Sequence, residues 1–144
     1  MSRTATIDTS GLRRCIGTLE TAFAHLQQES PDGPMRDVFR AACVKEFELV
    51  LEVGGTLLRR RLKDFFASGR EADRLTFRDT FRHAAKHALV TTDACERWLQ
   101  YRDVRNASAH DYGERFAETA LELIPAFVAD ARALAGAIEG EDGG

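Results

Sequence analysis

The chain has 144 residues, of which 44% are hydrophobic and 30% charged, and its formal net charge is −3. These values are typical of one ordinary globular domain and exclude a disordered or fibrous protein. Charged residues interrupt every apolar run and the N-terminal segment lacks a signal-peptide core, so we expect a cytoplasmic protein that does not associate with membranes.

Apolar residues recur at helical spacing in the N-terminal half. A first helix is predicted after Ser10, and the Ser30–Pro34 stretch ends it with two prolines and a glycine. A long second helix is predicted from about Met35 to Ala67. Its expected core residues are Val38, Phe39, Ala42, Val50, Leu57, Leu58, Leu62, Phe65 and Phe66.

Two adjacent glycines, Gly54 and Gly55, interrupt the middle of the second helix. Each costs roughly 1 kcal/mol of helix stability relative to alanine. Such a pair indicates either the close approach of another helix or a kink.

Three further helices complete the predicted fold. The third runs from about Thr76 to Leu89. The fourth starts at Asp93, which has capping-box spacing to Glu96, and ends near Ala109. The last runs from about Glu114 to Ile138 and contains Pro125, which should bend it. We therefore predict one all-α domain over residues 1–144, an antiparallel up-down bundle of about five helices, with flexible ends at 1–9 and 140–144.

The end of the fourth helix carries residues suited to RNA cleavage. Histidine titrates near neutrality and can transfer protons, and arginine matches a phosphate and its developing charge, so Arg105 and His110 are the candidate catalytic pair. On a regular helix they would lie about 140° apart, so their meeting depends on how the helix ends. Asn106 could orient the imidazole, and Arg102 is expected to support the site. A purely structural role remains open, since cations also suit a helix C-terminus.

Positive charge is concentrated in the middle of the chain. Residues 59–110 hold 12 basic and 7 acidic side chains, whereas residues 111–144 hold 2 and 8. Four cations are spaced four apart and are expected to form a basic ridge with His83 and His87: Arg74, Arg78, Arg82 and Lys86. This ridge predicts a surface that binds RNA or an acidic partner, with a plain solvated face as the alternative.

The cysteines and carboxylates indicate no further site. Cys15, Cys43 and Cys95 are odd in number and widely spaced, which predicts reduced thiols rather than disulfides or a metal knuckle. Cys95 falls in the first turn of the fourth helix, where the helix dipole would lower its pKa. No acidic residues have metal-site spacing, and no glycine-rich phosphate loop is present, so we expect neither a metal nor a cofactor.

Arg105, His110 and Tyr112 match the R-x4-H-x-Y signature of the HepT-like branch of the HEPN superfamily, also known as nucleotidyltransferase substrate-binding proteins. The resemblance extends over most of residues 10–138. It includes Phe47-Glu48-x-x-Leu51-Glu52 with Leu62-Lys63-Asp64, the Trp98 to Asn106 run, and Ala117 in the last helix. Gly54-Gly55 departs from the family, where an alanine and a tryptophan are common.

The resemblance implies a homodimer that brings two R-x4-H motifs into one cleft. It also implies a toxin with metal-independent endoribonuclease activity, paired with an MNT-type nucleotidyltransferase antitoxin that transfers AMP to Tyr112. Added charge and bulk there would occupy the place of the RNA phosphate beside Arg105. The alternative is a non-enzymatic nucleotide- or substrate-binding subunit of a two-component nucleotidyltransferase, with Tyr112 as a packing residue.

Overall fold

The computed structural model describes residues 6–108 and 114–140. These residues form six α-helices and one 3-10 turn, Lys63–Phe65, with no strand among them. The helices are α1 Ser10–Gln28, α2 Arg36–Leu62, α3 Gly69–Asp73, α4 Phe77–Lys86, α5 Thr92–Ser108 and α6 Glu114–Glu139. The predicted all-α bundle is confirmed, with five main helices and the short α3 as an addition.

Helix directions follow from side-chain contacts. Phe47 near the middle of α2 packs on Phe127 of α6, and Arg61 at the end of α2 donates to the carbonyl of Ile138 at the end of α6. Thus α2 and α6 run in the same direction. The α1 helix runs against both, because Arg13 in its first turns pairs with Glu139 at the end of α6.

Five large aromatic side chains from four helices form the centre of the core. Each is no more than 1% exposed, and their ring centroids lie 4.4 to 6.5 Å apart. They are Phe47 of α2, Phe81 of α4, Trp98 and Tyr101 of α5, and Phe127 of α6. Rings of this size supply much of the apolar burial of a small domain, and their edge-to-face contacts fix the rotation of each helix. The buried face of α5 is therefore set by Trp98 and Tyr101.

Polar side chains close the C-terminal end of α6. Arg61 is only 2% exposed, and its Nε donates to the carbonyl oxygen of Ile138 at 2.8 Å. Glu139 accepts from the Arg13 guanidinium and from the Thr9 hydroxyl, and these partners lower the pKa of Glu139 to about 2. Carbonyls at a helix end otherwise lack intrahelical partners, so these contacts anchor α6 against α1 and α2.

The prediction that Val38 and Phe65 belong to the core is wrong. Val38 is 53% exposed, because it lies in the first turn of α2. Phe65 is 45% exposed, because α2 ends at Leu62 rather than at Ala67 and Phe65 falls in the following 3-10 turn. Phe65 instead stacks on His87, with ring centroids 4.2 Å apart.

The predicted start of the fourth helix is also corrected. The cap is Thr91, whose Oγ1 accepts from the backbone N–H of Ala94 at 3.0 Å. The expected capping residue, Asp93, already lies within α5. Threonine and aspartate are both favourable N-cap residues. The sequence Thr91-Thr92-Asp93 therefore contains three adjacent candidate caps, and the sequence pattern does not distinguish between them.

The glycine pair of α2 allows neighbouring side chains to approach closely. A Cβ atom at Gly54 would lie 3.2 Å from Cδ2 of Leu134, and one at Gly55 would lie 3.3 Å from Cδ2 of Phe77. The close-approach interpretation is confirmed: α6 packs against one glycine and the first residue of α4 against the other.

The close approach at Gly54 predicts the effect of a larger side chain. Gly54→Val should destabilise the fold by about 2 kcal/mol, because a branched side chain would overlap Leu134 in a packed core. Gly17→Ala is the control, since nothing lies within 4 Å of a Cβ there and alanine favours the helix. Urea unfolding followed by circular dichroism measures both. Equal stability of Gly54→Val and wild type would contradict the packing account.

Candidate functional site

The predicted catalytic segment begins on α5 and continues beyond the described residues. Arg102 and Arg105 are partly buried and Asn106 is exposed, all near the end of α5. His110 and Tyr112 lie outside the described residues. The structure therefore positions one half of the R-x4-H-x-Y motif, and the meeting of Arg105 with His110 stays a prediction.

A partly buried hydrogen-bond network joins α5 to α6 before this segment. The Arg97 guanidinium makes two hydrogen bonds of 2.8 Å to the Asp130 carboxylate, and the Tyr101 hydroxyl donates to the same carboxylate at 2.6 Å. Asp130 is only 9% exposed. A bidentate arginine–carboxylate pair is stronger than a single neutral hydrogen bond, and here the carboxylate is buried while the Arg97 side chain is 43% exposed. It fixes the middle of α5 against the middle of α6.

The network also raises the pKa of Tyr101. Burial, followed by the hydrogen bond to Asp130, raises the pKa of Tyr101 above its ordinary value, so the phenol still donates to Asp130 at an alkaline pH where an exposed tyrosine would lose its proton. Sequence reasoning missed this network. The available signal was an acidic residue, Asp130, inside the apolar stripe of α6, where a carboxylate requires a partner.

A half-open cleft of about 220 Å³ lies between α4 and α5. It brings together three residues that the sequence singled out separately: Arg102 and Asn106 from the motif helix and Arg78 from the basic ridge. Its full lining is Thr76, Phe77, Arg78, Leu99, Arg102, Asp103 and Asn106. Cations from two helices thus face one concave surface beside the end of α5, where an anionic ligand would bind.

Arg102 lies over an aromatic ring of this cleft. Its guanidinium carbon lies 5.1 Å from the centroid of the Phe77 ring, a cation–π arrangement. In the part of the chain that the structure describes, Arg78, Arg102 and Asp103 form no ion pair. The cleft therefore offers cationic donors and a carboxylate acceptor that no contact to another described side chain neutralises.

The basic ridge is shorter than predicted. Arg78, Arg82 and Lys86 are exposed on α4, but Arg74 follows the end of α3 and is not part of that helix. The break occurs because Thr76 is extended and caps α4, its Oγ1 accepting from the N–H of Asp79 at 3.1 Å. The two histidines expected on the ridge pack against apolar rings instead, His83 on Phe66 and His87 on Phe65.

The thiols are not activated. Burial raises the pKa of Cys43 to about 11, and burial followed by the charge of Glu96 raises the pKa of Cys95. The expected lowering of the Cys95 pKa by the helix dipole is therefore wrong. Across residues 6–108 and 114–140, histidine, cysteine and carboxylate side chains form no group of three that could hold a metal ion. None of the described helices has the length and apolar content that crossing a membrane requires.

Comparisons with known proteins agree on the fold. A family model described as "Nucleotidyltransferase substrate binding protein like" matches residues 9–139. A Haemophilus influenzae protein described as "Probable ribonuclease HepT" is 25% identical over 124 residues, which are 78% of this chain and 84% of that protein.

Two solved structures share the helical architecture. One is a Haemophilus influenzae protein described as a substrate binding domain of a nucleotidyltransferase, with a TM-score of 0.78, 20% identity, and coverage of 91% of this chain and 98% of that one. The other is a tri-AMPylated Shewanella oneidensis HEPN toxin in complex with an MNT antitoxin. It has a TM-score of 0.62, 17% identity, and coverage of 90% and 97%. The predicted HEPN-type fold is confirmed.

The Arg97–Asp130–Tyr101 network predicts an unequal cost of removing two carboxylates. Asp130→Asn should lower the free energy of unfolding by about 2 kcal/mol, because it weakens charge-assisted bonds in a buried site. Glu20→Gln, which removes an exposed ion pair with Arg132, should cost less than about 1 kcal/mol. Urea unfolding of both variants provides the measurement. Equal losses would contradict a special role for Asp130.

Proposed function

Because the chain belongs to the family of nucleotidyltransferase substrate binding protein-like proteins, we propose that it is the toxin of a HEPN/nucleotidyltransferase toxin–antitoxin pair. Its activity is that of an endoribonuclease that requires no metal ion, acting on cytoplasmic RNA. The observation that carries the proposal is the cleft between α4 and α5, where Arg78 and Arg102 face one space beside the R-x4-H segment.

The chemistry uses only groups from this segment. The 2′-hydroxyl of the RNA attacks the adjacent phosphorus, and His110 accepts its proton. The bond from phosphorus to the 5′-oxygen breaks, and that oxygen takes up the proton that His110 accepted, which restores the neutral imidazole. Arg105 stabilises the charge that develops on the phosphate oxygens. The products are a 2′,3′-cyclic phosphate and a free 5′-hydroxyl.

Affinity for the RNA backbone comes from the surrounding cations. Arg78, Arg82 and Lys86 are exposed along α4, which forms one wall of the cleft. Contacts to phosphates position an RNA strand without reading its sequence. We propose that the strand follows α4 toward the end of α5. A homodimer then brings a second R-x4-H motif to the same cleft, as the resemblance to HepT-like proteins implies.

Control by an MNT-type nucleotidyltransferase completes the proposal. Tyr112 is two residues from His110 and is the proposed acceptor of AMP. A phosphodiester at that position adds negative charge next to the site where the RNA phosphate must bind, so it competes with substrate. The Shewanella oneidensis neighbour, described as tri-AMPylated and bound to its antitoxin, supports this form of regulation.

The second candidate function is a non-enzymatic subunit that binds a nucleotide or substrate for a nucleotidyltransferase. The likeness to the Haemophilus influenzae structure described as such a substrate binding domain favours it. The same arginines would grip the ligand in both cases. The two functions differ in whether His110 moves a proton during RNA cleavage.

The ribonuclease proposal predicts that His110 is required for toxicity. Expression of the chain without its partner should stop growth, whereas His110→Ala should abolish growth inhibition because no group remains to transfer the proton. His25→Ala is the matched control, since His25 is exposed on α1 and stacks on Phe39. Growth curves with matched expression levels provide the measurement. Full toxicity of His110→Ala would support the binding-subunit alternative.

The regulatory proposal predicts AMP on Tyr112. After incubation with the partner nucleotidyltransferase and ATP, mass spectrometry should find one or more AMP units on the peptide that contains Tyr112. Tyr112→Phe should remain unmodified and toxic in the presence of the partner. An adduct elsewhere on the chain, or none, would overturn the assignment of Tyr112.

A further inference from the structure

The cleft between α4 and α5 contains a carboxylate that RNA cleavage does not explain. Asp103 is exposed, lines the cleft with Arg78 and Arg102, and pairs with no cation among the described residues. A carboxylate repels the phosphates that its neighbouring arginines attract. Its presence is therefore a cost to backbone binding, unless the RNA also brings hydrogen-bond donors to this point.

Nucleobases are the parts of RNA that carry such donors. A carboxylate can only accept hydrogen bonds, and its two oxygens accept most favourably from two adjacent N–H groups. Guanine presents two neighbouring donors, N1–H and the N2 amino group, on its Watson–Crick edge. Adenine and cytosine place a ring-nitrogen acceptor beside their amino group, and uracil flanks its one N–H with two carbonyl acceptors. Asp103 therefore matches guanine and repels part of the edge of every other base.

Asn106 supplies a hydrogen-bond donor beside the Asp103 carboxylate. It lies three residues after Asp103, which on a helix places the two side chains on neighbouring positions of one face, and both line the cleft. Its amide can donate to an acceptor such as guanine O6 while the Asp103 carboxylate accepts from N1–H and N2–H. The pair thus presents acceptor and donor groups in the pattern that guanine requires.

The cleft also has a surface on which a base can stack. The Arg102 guanidinium lies 5.1 Å from the Phe77 ring centroid, and proteins that read unpaired RNA stack bases on aromatic rings and on guanidinium planes. Arg78 supplies positive charge for the adjoining phosphate. The volume of about 220 Å³ is below the roughly 300–1,000 Å³ of pockets for larger ligands, and it suits one base.

We infer that this cleft binds one unpaired guanine nucleotide of the RNA, next to the linkage on which Arg105 and His110 act. Asp103 selects guanine by accepting its N1–H and N2–H, and Asn106 donates to its O6. The base stacks on Arg102 and Phe77, and Arg78 binds the adjoining phosphate. The inference rests on the proposed function, because it assumes that RNA is the ligand. It adds a base preference that cleavage chemistry alone does not require.

Binding of short labelled RNAs tests the inference. Fluorescence anisotropy with the full chain carrying His110→Ala, which prevents cleavage, compares single-stranded oligouridines that contain one central guanosine, adenosine or inosine. Guanosine should bind roughly 10-fold more tightly than adenosine, within the range of a bidentate base contact. Inosine, which lacks the N2 amino group, should fall between them.

Two carboxylate variants in the same background separate base selection from general charge. Asp103→Asn should remove the guanosine preference without weakening binding of oligouridine. Asp93→Asn makes the same charge change about 15 Å away along α5 and should leave the preference intact. Arg78→Gln should weaken the binding of all the RNAs to a similar extent.

The possible failures are distinguishable. Equal affinity for guanosine and adenosine RNAs, or equal effects of Asp103→Asn and Asp93→Asn, would overturn the guanine site and leave the ribonuclease proposal standing. Failure of the protein to bind any of the RNAs, oligouridine included, would overturn the proposed function and this inference together.

Discussion

The buried carboxylate of Asp130 is the contact on which the geometry of the site depends. It lies on α6 and accepts hydrogen bonds from Arg97 and Tyr101, which are one turn apart on α5. A buried carboxylate without partners would be strongly unfavourable, so the two helices are held at one separation and rotation. Residues 109–113, which contain His110 and Tyr112, connect these same two helices.

The rotation of α5 then determines which side chains are available for binding. With Trp98 and Tyr101 in the core, Arg102, Asp103 and Asn106 lie toward α4 or solvent. The second wall of the cleft depends on Gly55, because the absence of a side chain there lets Phe77 approach α2. Gly55 of α2 thereby sets the position of the Phe77 ring, which contacts Arg102 of α5. Core packing around α2 thus determines the shape of the cleft in which we propose that RNA binds.

Much of this arrangement could be predicted from the sequence. The spacing of apolar residues gave the main helices, and the glycine pair correctly indicated a close approach. Periodicity predicts Val38 and Phe65 as core although both are exposed, because the pattern does not reveal where α2 itself begins and ends. The short α3 and the exclusion of Arg74 from α4 depend on local capping, which overrides a regular four-residue spacing. The cleft was not predictable, because it is formed by two helices whose relative placement is a tertiary property.

The most direct test of the central claim is the analysis of RNA ends after incubation with the purified protein in excess EDTA. If Arg105 and His110 cleave RNA without a metal ion, the fragments will carry 2′,3′-cyclic phosphate and 5′-hydroxyl ends, and Arg105→Ala will yield none. Intact RNA with the wild-type protein, or cleavage that appears only when Mg²⁺ is restored, would contradict the account.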